Sequence, residues 1–345
     1  GIEDMKVLVT GGTGFTGAAL VDRLLREGHE VVALDKQPGL IDDELRRKGA
    51  KIVYGSVTDR DAVARSMEGA EVVMHLAAAF REIGVPDEVY RAVNVTGTRI
   101  VAEEALRAGV RKLVYCSTQG VHGHIENPPG DENSPIAPAD YYQQTKYEGE
   151  LELKVLDGTP VEYTIIRPTA IYGPGDPGRF VMIFRRVAKG VFPMFGSGRT
   201  FYHPVYIDNL VDAFLLAAQQ GVGTGRAYII GDAEYFSIEE LVRRVAKAMG
   251  VPVRIPHYPI WPLLAAGHVC EKVCKPFGIE PPIFPRRVDW FRQVRAFRID
   301  RARRELGYEP RVGIDEGLRR TAEWYRATGR VRFPDTSPLV PPKAA

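Results

Sequence analysis

The feature that most constrains this chain is a set of glycines close to its start. Gly11, Gly14 and Gly17 recur at every third position, after an apolar strand pattern at Lys6–Thr10 and before a helical pattern at Phe15–Glu27. Glycine adopts the positive φ that a tight strand-to-helix turn requires, and its missing side chain lets another molecule approach the backbone. The free N–H groups at the start of the helix would then face an anion.

The first half of the chain repeats this alternation of strand and helix. Short β-branched runs such as Leu113–Cys116 and Val161–Ile166 alternate with helical segments, the longest being Val85–Ala108 and Tyr141–Leu156. Apolar strands between helices are typical of a parallel sheet covered on both faces. The sequence therefore predicts an α/β fold, a doubly wound parallel sheet of the Rossmann type with a smaller C-terminal α/β part.

The density of proline and glycine rises after Arg167, and the later elements are short. We therefore expect a nucleotide-binding domain at 5–167 and a smaller substrate-binding part at 168–330, with the chain crossing back to the first domain. The remaining residues, 331–345, are predicted to form an extended tail.

In a βαβ unit, this glycine turn predicts a dinucleotide whose pyrophosphate rests on the helix N-terminus. Asp35 ends the second strand, where its carboxylate would accept hydrogen bonds from the adenosine ribose and repel a 2′-phosphate. This favours NAD over NADP, although the neighbouring Lys36 weakens the preference slightly. The alternative is a glycine-rich turn that binds nothing.

Composition excludes several other classes of protein. The 345 residues carry a formal net charge of +2. They contain no apolar run of the roughly 18 residues that a membrane span needs. The start shows no secretory signal, and three cysteines without metal-type spacing fit a reducing compartment. We expect a cytoplasmic protein without a metal site or a nucleic-acid partner.

Tyr142 and Lys146 lie four residues apart on a predicted helix and share one face. A free tyrosine has a pKa near 10, but a neighbouring ammonium and a positive nicotinamide ring both favour the phenolate. Tyr142 could then remove the proton of a substrate alcohol while hydride passes to NAD⁺. Thr118 follows the fifth strand, at the edge of the sheet where parallel strands end and ligands bind, and could hydrogen-bond the substrate oxygen.

At this point the chain resembles the extended short-chain dehydrogenase/reductase family, over nearly its whole length. The matching segments are Thr10–Gly17, His75–Ala78, Asn94–Thr98, Cys116–Thr118, Tyr142–Lys146, Arg167–Pro174, Tyr206–Asn209 and Arg303–Tyr308.

The resemblance implies a role for individual residues. Thr118, Tyr142 and Lys146 would be the catalytic triad. The residues implied to bind the cofactor, besides Tyr142 and Lys146, are Gly11, Gly14, Phe15, Thr16, Gly17, Asp35, Ser56, Val57, Leu76, Ala77, Ala78, Asn94, Pro168 and Thr169. Many relatives carry aspartate at the position of Ser56, so one adenine contact would be weaker here.

Two reactions of the family are disfavoured by the residues after Thr118. Its sugar-nucleotide dehydratases carry Asp-Glu there and its sugar decarboxylases carry Glu at the second position, whereas this chain has Gln119 and Gly120. Elimination of water needs a general acid for the leaving hydroxyl, which neither residue supplies.

Simple dehydrogenases and epimerases both remain open. Nucleotide-sugar epimerases of the family usually have Asn at the position of Ala170 and Arg at that of Tyr202, and both donors to a diphosphate are missing here. The segment Ala139–Lys146 and the small Ala170 resemble the 3β-hydroxysteroid and sterol dehydrogenases. Oxidation of a ring alcohol is therefore the leading hypothesis, with Thr118, Gln119, Ala170 and Tyr202 near the substrate. A nucleotide-sugar 4-epimerase and a non-catalytic NAD sensor are the alternatives.

An arginine-rich stretch at 286–304 has three interpretations. A solvated helix face is the commonest origin of such a run, a clamp for an anionic substrate is a second, and attachment to an anionic membrane surface is a third. The family resemblance also implies a homodimer built through two long helices, including Tyr141–Leu156.

Overall fold

The computed structural model describes residues 4–79, 85–176, 178–279 and 288–334. The strands are β1 Lys6–Thr10, β2 Glu30–Asp35, β3 Lys51–Tyr54, β4 Val72–His75, β5 Lys112–Cys116, β6 Glu162–Pro168, β7 Ala170–Tyr172, β8 Met194–Phe195, β9 Phe201–Tyr202, β10 Pro204–Tyr206, β11 Ala227–Ile230, β12 Phe236–Ser237 and β13 His257–Tyr258. The α-helices are α1 Phe15–Arg26, α2 Asp42–Arg47, α3 Arg60–Ser66, α4 Asp87–Arg91, α5 Gly97–Ala108, α6 Tyr141–Glu152, α7 Arg179–Ala188, α8 Ile207–Ala217, α9 Ile238–Met249, α10 Trp261–Cys274, α11 Asp300–Leu306 and α12 Ile314–Ala327.

Seven strands form one parallel sheet in the order β11-β6-β5-β4-β1-β2-β3. The order runs outward from β1 in both directions, so helices must cross both faces, and the predicted doubly wound α/β fold is confirmed. Because the strands are parallel, the glycine turn after β1 and the loops after β4, β5 and β6 lie at one edge. The last strand, β11, comes from the C-terminal half of the chain.

Two hydrophobic cores cover the two faces of the sheet, and alternate residues of each strand enter opposite cores. In β1, Val7 and Val9 pack in the core that includes Leu210 of α8, whereas Leu8 packs in the core that includes Val101 of α5. Burying a side chain of this kind contributes about 1.5–3 kcal/mol. The edge of the sheet that carries the loops is therefore held rigidly from both sides.

The predicted helix Val85–Ala108 begins at Asp87 and contains one irregular turn. α4 passes into a π-helical turn, Ala92–Thr96, before α5 begins, so the element is one continuous helical rod with an altered turn at Asn94. π-turns of this kind are frequent at functional sites. Similarly, α6 ends at Glu152 and a 3₁₀ turn completes the predicted segment to Leu156.

The smaller elements after β6 form three short strand pairs, β7 with β10, β8 with β13 and β9 with β12. α12 packs against α9, and its Tyr325 donates a hydrogen bond to the carbonyl of Asp176, in the loop after β7, at 3.1 Å. In the described part of the chain, no helix is both long enough and apolar enough to cross a membrane.

Candidate active site

The three glycines of the first turn have different structural requirements. Gly11 has a φ of +68°, and a Cβ on Gly17 would lie 2.0 Å from the carbonyl oxygen of Gly11. Gly14 has a φ of −72°, and a Cβ there would meet only the Gly11 oxygen, at an ordinary 3.5 Å. The fold itself therefore requires Gly11 and Gly17, while Gly14 leaves space that faces away from the protein.

The N-terminus of α1 is suited to an anion. Its N-cap, Gly14, supplies no side-chain hydrogen bond, and no acidic residue lies in the first turn. The free N–H groups and the positive end of the helix dipole are thus available to a phosphate. Asp35 lies beside the turn, where its carboxylate accepts hydrogen bonds from the backbone N–H groups of Thr13 at 3.2 Å and Gln37 at 3.4 Å.

A cavity of about 780 Å³ extends along this turn. Of the residues implied to bind the cofactor, it is lined by Gly11, Gly14, Phe15, Asp35, Ser56, Val57, Leu76, Ala77 and Ala78. Thr16, Gly17, Asn94, Tyr142, Lys146, Pro168 and Thr169 do not line it. The open face of Gly14, the uncapped helix and the nearby carboxylate together fit the pyrophosphate and ribose of a dinucleotide.

A buried hydrogen-bond chain fixes the floor of this cavity. Thr10 Oγ1 accepts from the N–H groups of Leu76 and Ala77, so its proton is donated to His75 Nδ1 at 2.6 Å. Burial lowers the pKa of His75 to about 3, which keeps the ring neutral, and its Nε2 then donates to Thr98 Oγ1 at 3.0 Å. Sequence analysis identifies His75 only as a member of a family motif.

The hydrogen-bond chain continues from Thr98 to α6, the helix that carries the predicted catalytic residues Tyr142 and Lys146. Thr98 donates to the carbonyl of Asn94 at 2.9 Å, and Asn94 Nδ2 donates to Thr145 Oγ1 at 3.1 Å. Asn94 Oδ1 also accepts from the N–H of Ala79 at 2.9 Å. Asn94 in its π-turn therefore joins the loop after β4 to α6, which carries Tyr142 and Lys146.

The predicted catalytic residues lie in the segment after β5 and in α6. Lys146 is buried, which lowers the pKa of its ammonium, and its Nζ donates to the carbonyl of Cys116 at 2.8 Å. The same Nζ lies 4.8 Å from the centre of the Tyr115 ring. Thr118 caps a 3₁₀ turn, and its Oγ1 accepts from the N–H of Gly120 at 3.0 Å. Tyr142 lies in the first turn of α6, half-buried.

A buried ion pair between Arg167 of β6 and Glu150 of α6 joins these two elements. Arg167 donates to both oxygens of Glu150, at 2.6 and 3.0 Å, and Ser117 donates to the same carboxylate at 2.5 Å. Arg167 also donates to His122 Nε2 at 3.2 Å, while His122 Nδ1 donates to the carbonyl of Ser134 at 3.1 Å. Burial, followed by the charge of Arg167, lowers the pKa of His122 and keeps it neutral. Through these hydrogen bonds, Glu150 of α6 holds the C-terminal end of β6 and the residue that follows β5.

Three buried polar atoms near the predicted catalytic residues have no partner among the described residues. They are Gln119 Oε1, Gln143 Oε1 and Thr169 Oγ1. Gln143 was missed by the sequence analysis. A Cβ on Gly120 would lie 2.4 Å from its amide, so the Gln143 side chain covers the turn that Thr118 caps. Unpaired buried polar groups are costly, so these three atoms distinguish this part of the structure from an ordinary core.

Tyr202 and Ala170 occupy the positions at which epimerases of the family carry donors to a diphosphate, and both have apolar neighbours. Tyr202 is buried in β9, and its ring contacts those of Phe180 and Trp290, with centroids 6.1 and 5.8 Å apart. Ala170 begins β7 and offers only a methyl group.

Most described arginines of the 286–304 stretch have protein partners. Arg292 bonds Asp289, Arg303 bonds Glu309 at 3.0 Å, and Arg301 donates to the carbonyl of Ala227 at 3.2 Å. This favours the structural interpretation of the run. Arg286 and Arg287 lie outside the described residues, as does the tail after Pro334. No group of three or more potential metal ligands is found within the described ranges.

Comparison with known proteins identifies the family. Residues 7–231 match the family described as the NAD dependent epimerase/dehydratase family. The chain belongs to this family. It is the extended short-chain dehydrogenase/reductase group that the sequence motifs indicate, and its members are NAD-dependent enzymes.

Relatives from two branches are equally similar. A 3 beta-hydroxysteroid dehydrogenase/Delta 5→4-isomerase of Mycobacterium tuberculosis is 33% identical over 345 residues, covering 93% of this chain and 90% of its own length. A UDP-glucose 4-epimerase of Mycolicibacterium smegmatis is 33% identical over 340 residues, covering 93% and 99%. The crystal structure of a UDP-glucose 4-epimerase from Thermotoga maritima with UDP-glucose has a TM-score of 0.77 at 26% identity, covering 94% of this chain and 99% of that one.

Proposed function

We propose that this protein is an NAD-dependent dehydrogenase that oxidises a secondary alcohol on an apolar ring substrate of the 3β-hydroxysteroid type. The observation that carries the choice of substrate class is the aromatic packing of Tyr202 beside Phe180 and Trp290. A guanidinium at this position would bind a diphosphate, whereas buried rings favour apolar surface.

The catalytic roles follow from the hydrogen bonds at the end of β5. Because Thr118 Oγ1 already accepts from Gly120, its own proton is free to be donated to the substrate oxygen. Lys146 is held by the Cys116 carbonyl, which fixes a cation one helical turn from Tyr142. Tyr142 then takes the hydroxyl proton as its phenolate. NAD⁺, when bound, accepts the hydride that leaves the carbinol carbon.

The adenosine and pyrophosphate parts of the cofactor would lie along the cavity beside β1, β2 and β4, and the nicotinamide part would extend beyond it toward β6. Asp35 would bind the adenosine ribose, Ser56 and Val57 the adenine, and the first turn of α1, with Phe15 and Thr16, the pyrophosphate. The groove residues Leu76–Ala78 would lead toward Pro168 and Thr169 at the nicotinamide end. The unpartnered hydroxyl of Thr169 supports this placement, because a carboxamide could complete its hydrogen bonds.

A nucleotide-sugar 4-epimerase is the second candidate. The unpartnered amide oxygens of Gln119 and Gln143 favour it, because a sugar presents hydroxyl donors to such acceptors. The epimerase relatives support it to the same extent as the steroid relatives support the first candidate.

The two candidates differ in net redox change. Purified protein is incubated with NAD⁺ and either a 3β-hydroxysteroid or UDP-glucose, and NADH fluorescence and product are followed. We expect NADH to accumulate in proportion to ketosteroid. Conversion of UDP-glucose to its 4-epimer without net NADH would instead establish the epimerase.

We also propose a homodimer. α5 and α6 pack side by side and expose Leu106 and Leu151, respectively. Light scattering of the purified protein measures the mass directly, and a monomer at all concentrations would contradict the proposal.

A further inference from the structure

The cavity beside the glycine turn has a wall built from residues that follow Arg167 in the chain. Pro174 and Gly175 form part of it, and Trp324, Thr328 and Arg330 form the rest. The last three belong to the C-terminal end of α12 and the turn that follows it. A residue more than 300 positions from the glycine turn thus shares a cavity with Gly14.

We propose that Arg330 is a cofactor-phosphate ligand, and that its guanidinium closes over the pyrophosphate from the side opposite the N-terminus of α1. The inference rests on the proposed placement of NAD along the glycine turn. It assigns a binding role to the turn after α12, which lies outside every motif of the nucleotide-binding half.

The backbone of Arg330 is anchored. Gly329 adopts a φ of +70° after the helix, and the N–H of Arg330 then bonds the carbonyl of Tyr325 at 3.0 Å. The carbonyl of Arg330 accepts from Arg185 Nε at 3.1 Å. These two bonds fix the point from which the side chain leaves the chain.

The guanidinium is also held in place. It lies 4.4 Å from the centre of the Trp324 ring, and that ring lines the same cavity. A cation stacked on an aromatic face keeps its N–H groups directed outward in the plane, where they can bond phosphate oxygens. Less rotamer freedom is then lost when the ligand binds.

No carboxylate in the described ranges neutralises the charge of Arg330. Among the described residues, it forms no ion pair with a carboxylate. Lys48, another cation that lines the cavity, contacts Asp22 at 2.6 Å and Glu44 at 3.1 Å. Because the pyrophosphate is doubly anionic and α1 contributes only a helix dipole, an unneutralised arginine on the facing wall supplies the missing charge.

The loop that separates Arg330 from the glycine turn is firmly packed. A Cβ on Gly175 would lie 3.4 Å from the Phe15 ring, and Tyr325 of α12 bonds the carbonyl of Asp176. The C-terminal helix, this loop and the start of α1 therefore form one continuous wall.

A ligand series separates the contribution of the phosphates from that of the base. Binding of adenosine, ADP-ribose and NAD⁺ is measured by calorimetry for the wild type, Arg330→Met, Arg330→Lys and Arg326→Gln. Arg326 is the matched control, since it leaves the same helix and lies over the Phe333 ring at 5.4 Å but does not line the cavity.

We expect Arg330→Met to weaken ADP-ribose and NAD⁺ about tenfold, to leave adenosine unchanged and to reduce the salt dependence of binding. Arg330→Lys should recover part of the loss and Arg326→Gln should match the wild type. Equal affinities of wild type and Arg330→Met for ADP-ribose, with an unchanged thermal midpoint, would overturn the inference. If Arg330→Met does not fold, Arg330→Lys with wild-type affinity and unchanged salt dependence would likewise count against a directed phosphate contact. A wild type that binds none of the three ligands would instead contradict the proposed function.

Discussion

The structure distinguishes the glycines of the first turn that the fold requires from the one that it leaves unconstrained. Gly17 is required because its Cβ would overlap the Gly11 carbonyl, whereas Gly14 has an ordinary φ and open space. The sequence spacing alone treats the three glycines as equivalent. The structure separates them because it shows which atoms lie opposite each Cα.

Substitution of Gly14 should therefore affect mainly NAD⁺ binding, and substitution of Gly17 mainly the stability of the fold. Gly14→Ala is expected to weaken NAD⁺ binding at least tenfold while lowering the free energy of unfolding by less than about 1 kcal/mol. Gly17→Ala is expected to lower it by roughly 2 kcal/mol or more, because the turn must open. Urea unfolding and calorimetric titration of both variants check this. Unchanged NAD⁺ affinity in Gly14→Ala would contradict the placement of the pyrophosphate.

At the scale of elements, the sequence predicted the strands and helices but not the contacts that join them. Tyr142 and Lys146 could be identified because both lie on α6 within one turn. Glu150 lies one turn further along, yet its partner Arg167 is on β6 and the next member, His122, is in a loop. Pairings across such separations depend on the packed sheet, and no local pattern reveals them.

The Glu150–Arg167 pair should be essential to the stability of this edge. Glu150→Ala would leave the buried Arg167 without a counter-charge, at a cost of about 3–5 kcal/mol. Glu152→Ala is the control on the same helix. It removes the ion pair with Arg99, in which both side chains are partly exposed, and should cost less than about 1 kcal/mol. Chemical denaturation of the two variants makes the comparison, and similar losses in both would show that the buried pair has no special role.

At the scale of the whole molecule, a buried polar centre in the C-terminal part links stability to pH. Asn209 donates to Asp232 at 2.8 Å and to the carbonyl of Val312 at 2.9 Å, while Tyr308 bonds the Gly231 carbonyl at 2.8 Å. Asp232 also accepts from the N–H of Tyr206 at 3.0 Å, but burial outweighs the two donors to this carboxyl group and raises its pKa to about 7. This centre joins β11 to α8 and to the approach to α12, so it could not be foreseen from any single segment.

The sign of the pH effect follows from that raised pKa. An unfolded aspartate titrates near pH 3.9, so above that pH the unfolded chain has released a proton that the folded chain keeps. The contribution of Asp232 to the free energy of unfolding is therefore complete below about pH 4 and is lost as the pH rises through about 7.

The variant Asp232→Asn keeps one side-chain oxygen that can accept these hydrogen bonds, but it cannot ionise. Relative to this variant, the wild type should lose on the order of 4 kcal/mol between about pH 4 and pH 8. Urea unfolding of both proteins across this range measures the difference. Parallel curves for wild type and variant would show that Asp232 is not protonated in the folded state.

We propose that Tyr142 transfers the substrate proton in a protein that binds NAD along its glycine turn. The most direct measurement compares Tyr142→Phe with Tyr141→Phe, its neighbour on α6, in both NADH formation from a ring alcohol and NAD⁺ affinity. We predict that Tyr142→Phe lowers kcat at least a thousandfold with NAD⁺ affinity within about threefold of the wild type, while Tyr141→Phe stays active. Full turnover by Tyr142→Phe would show that Tyr142 does not transfer the substrate proton.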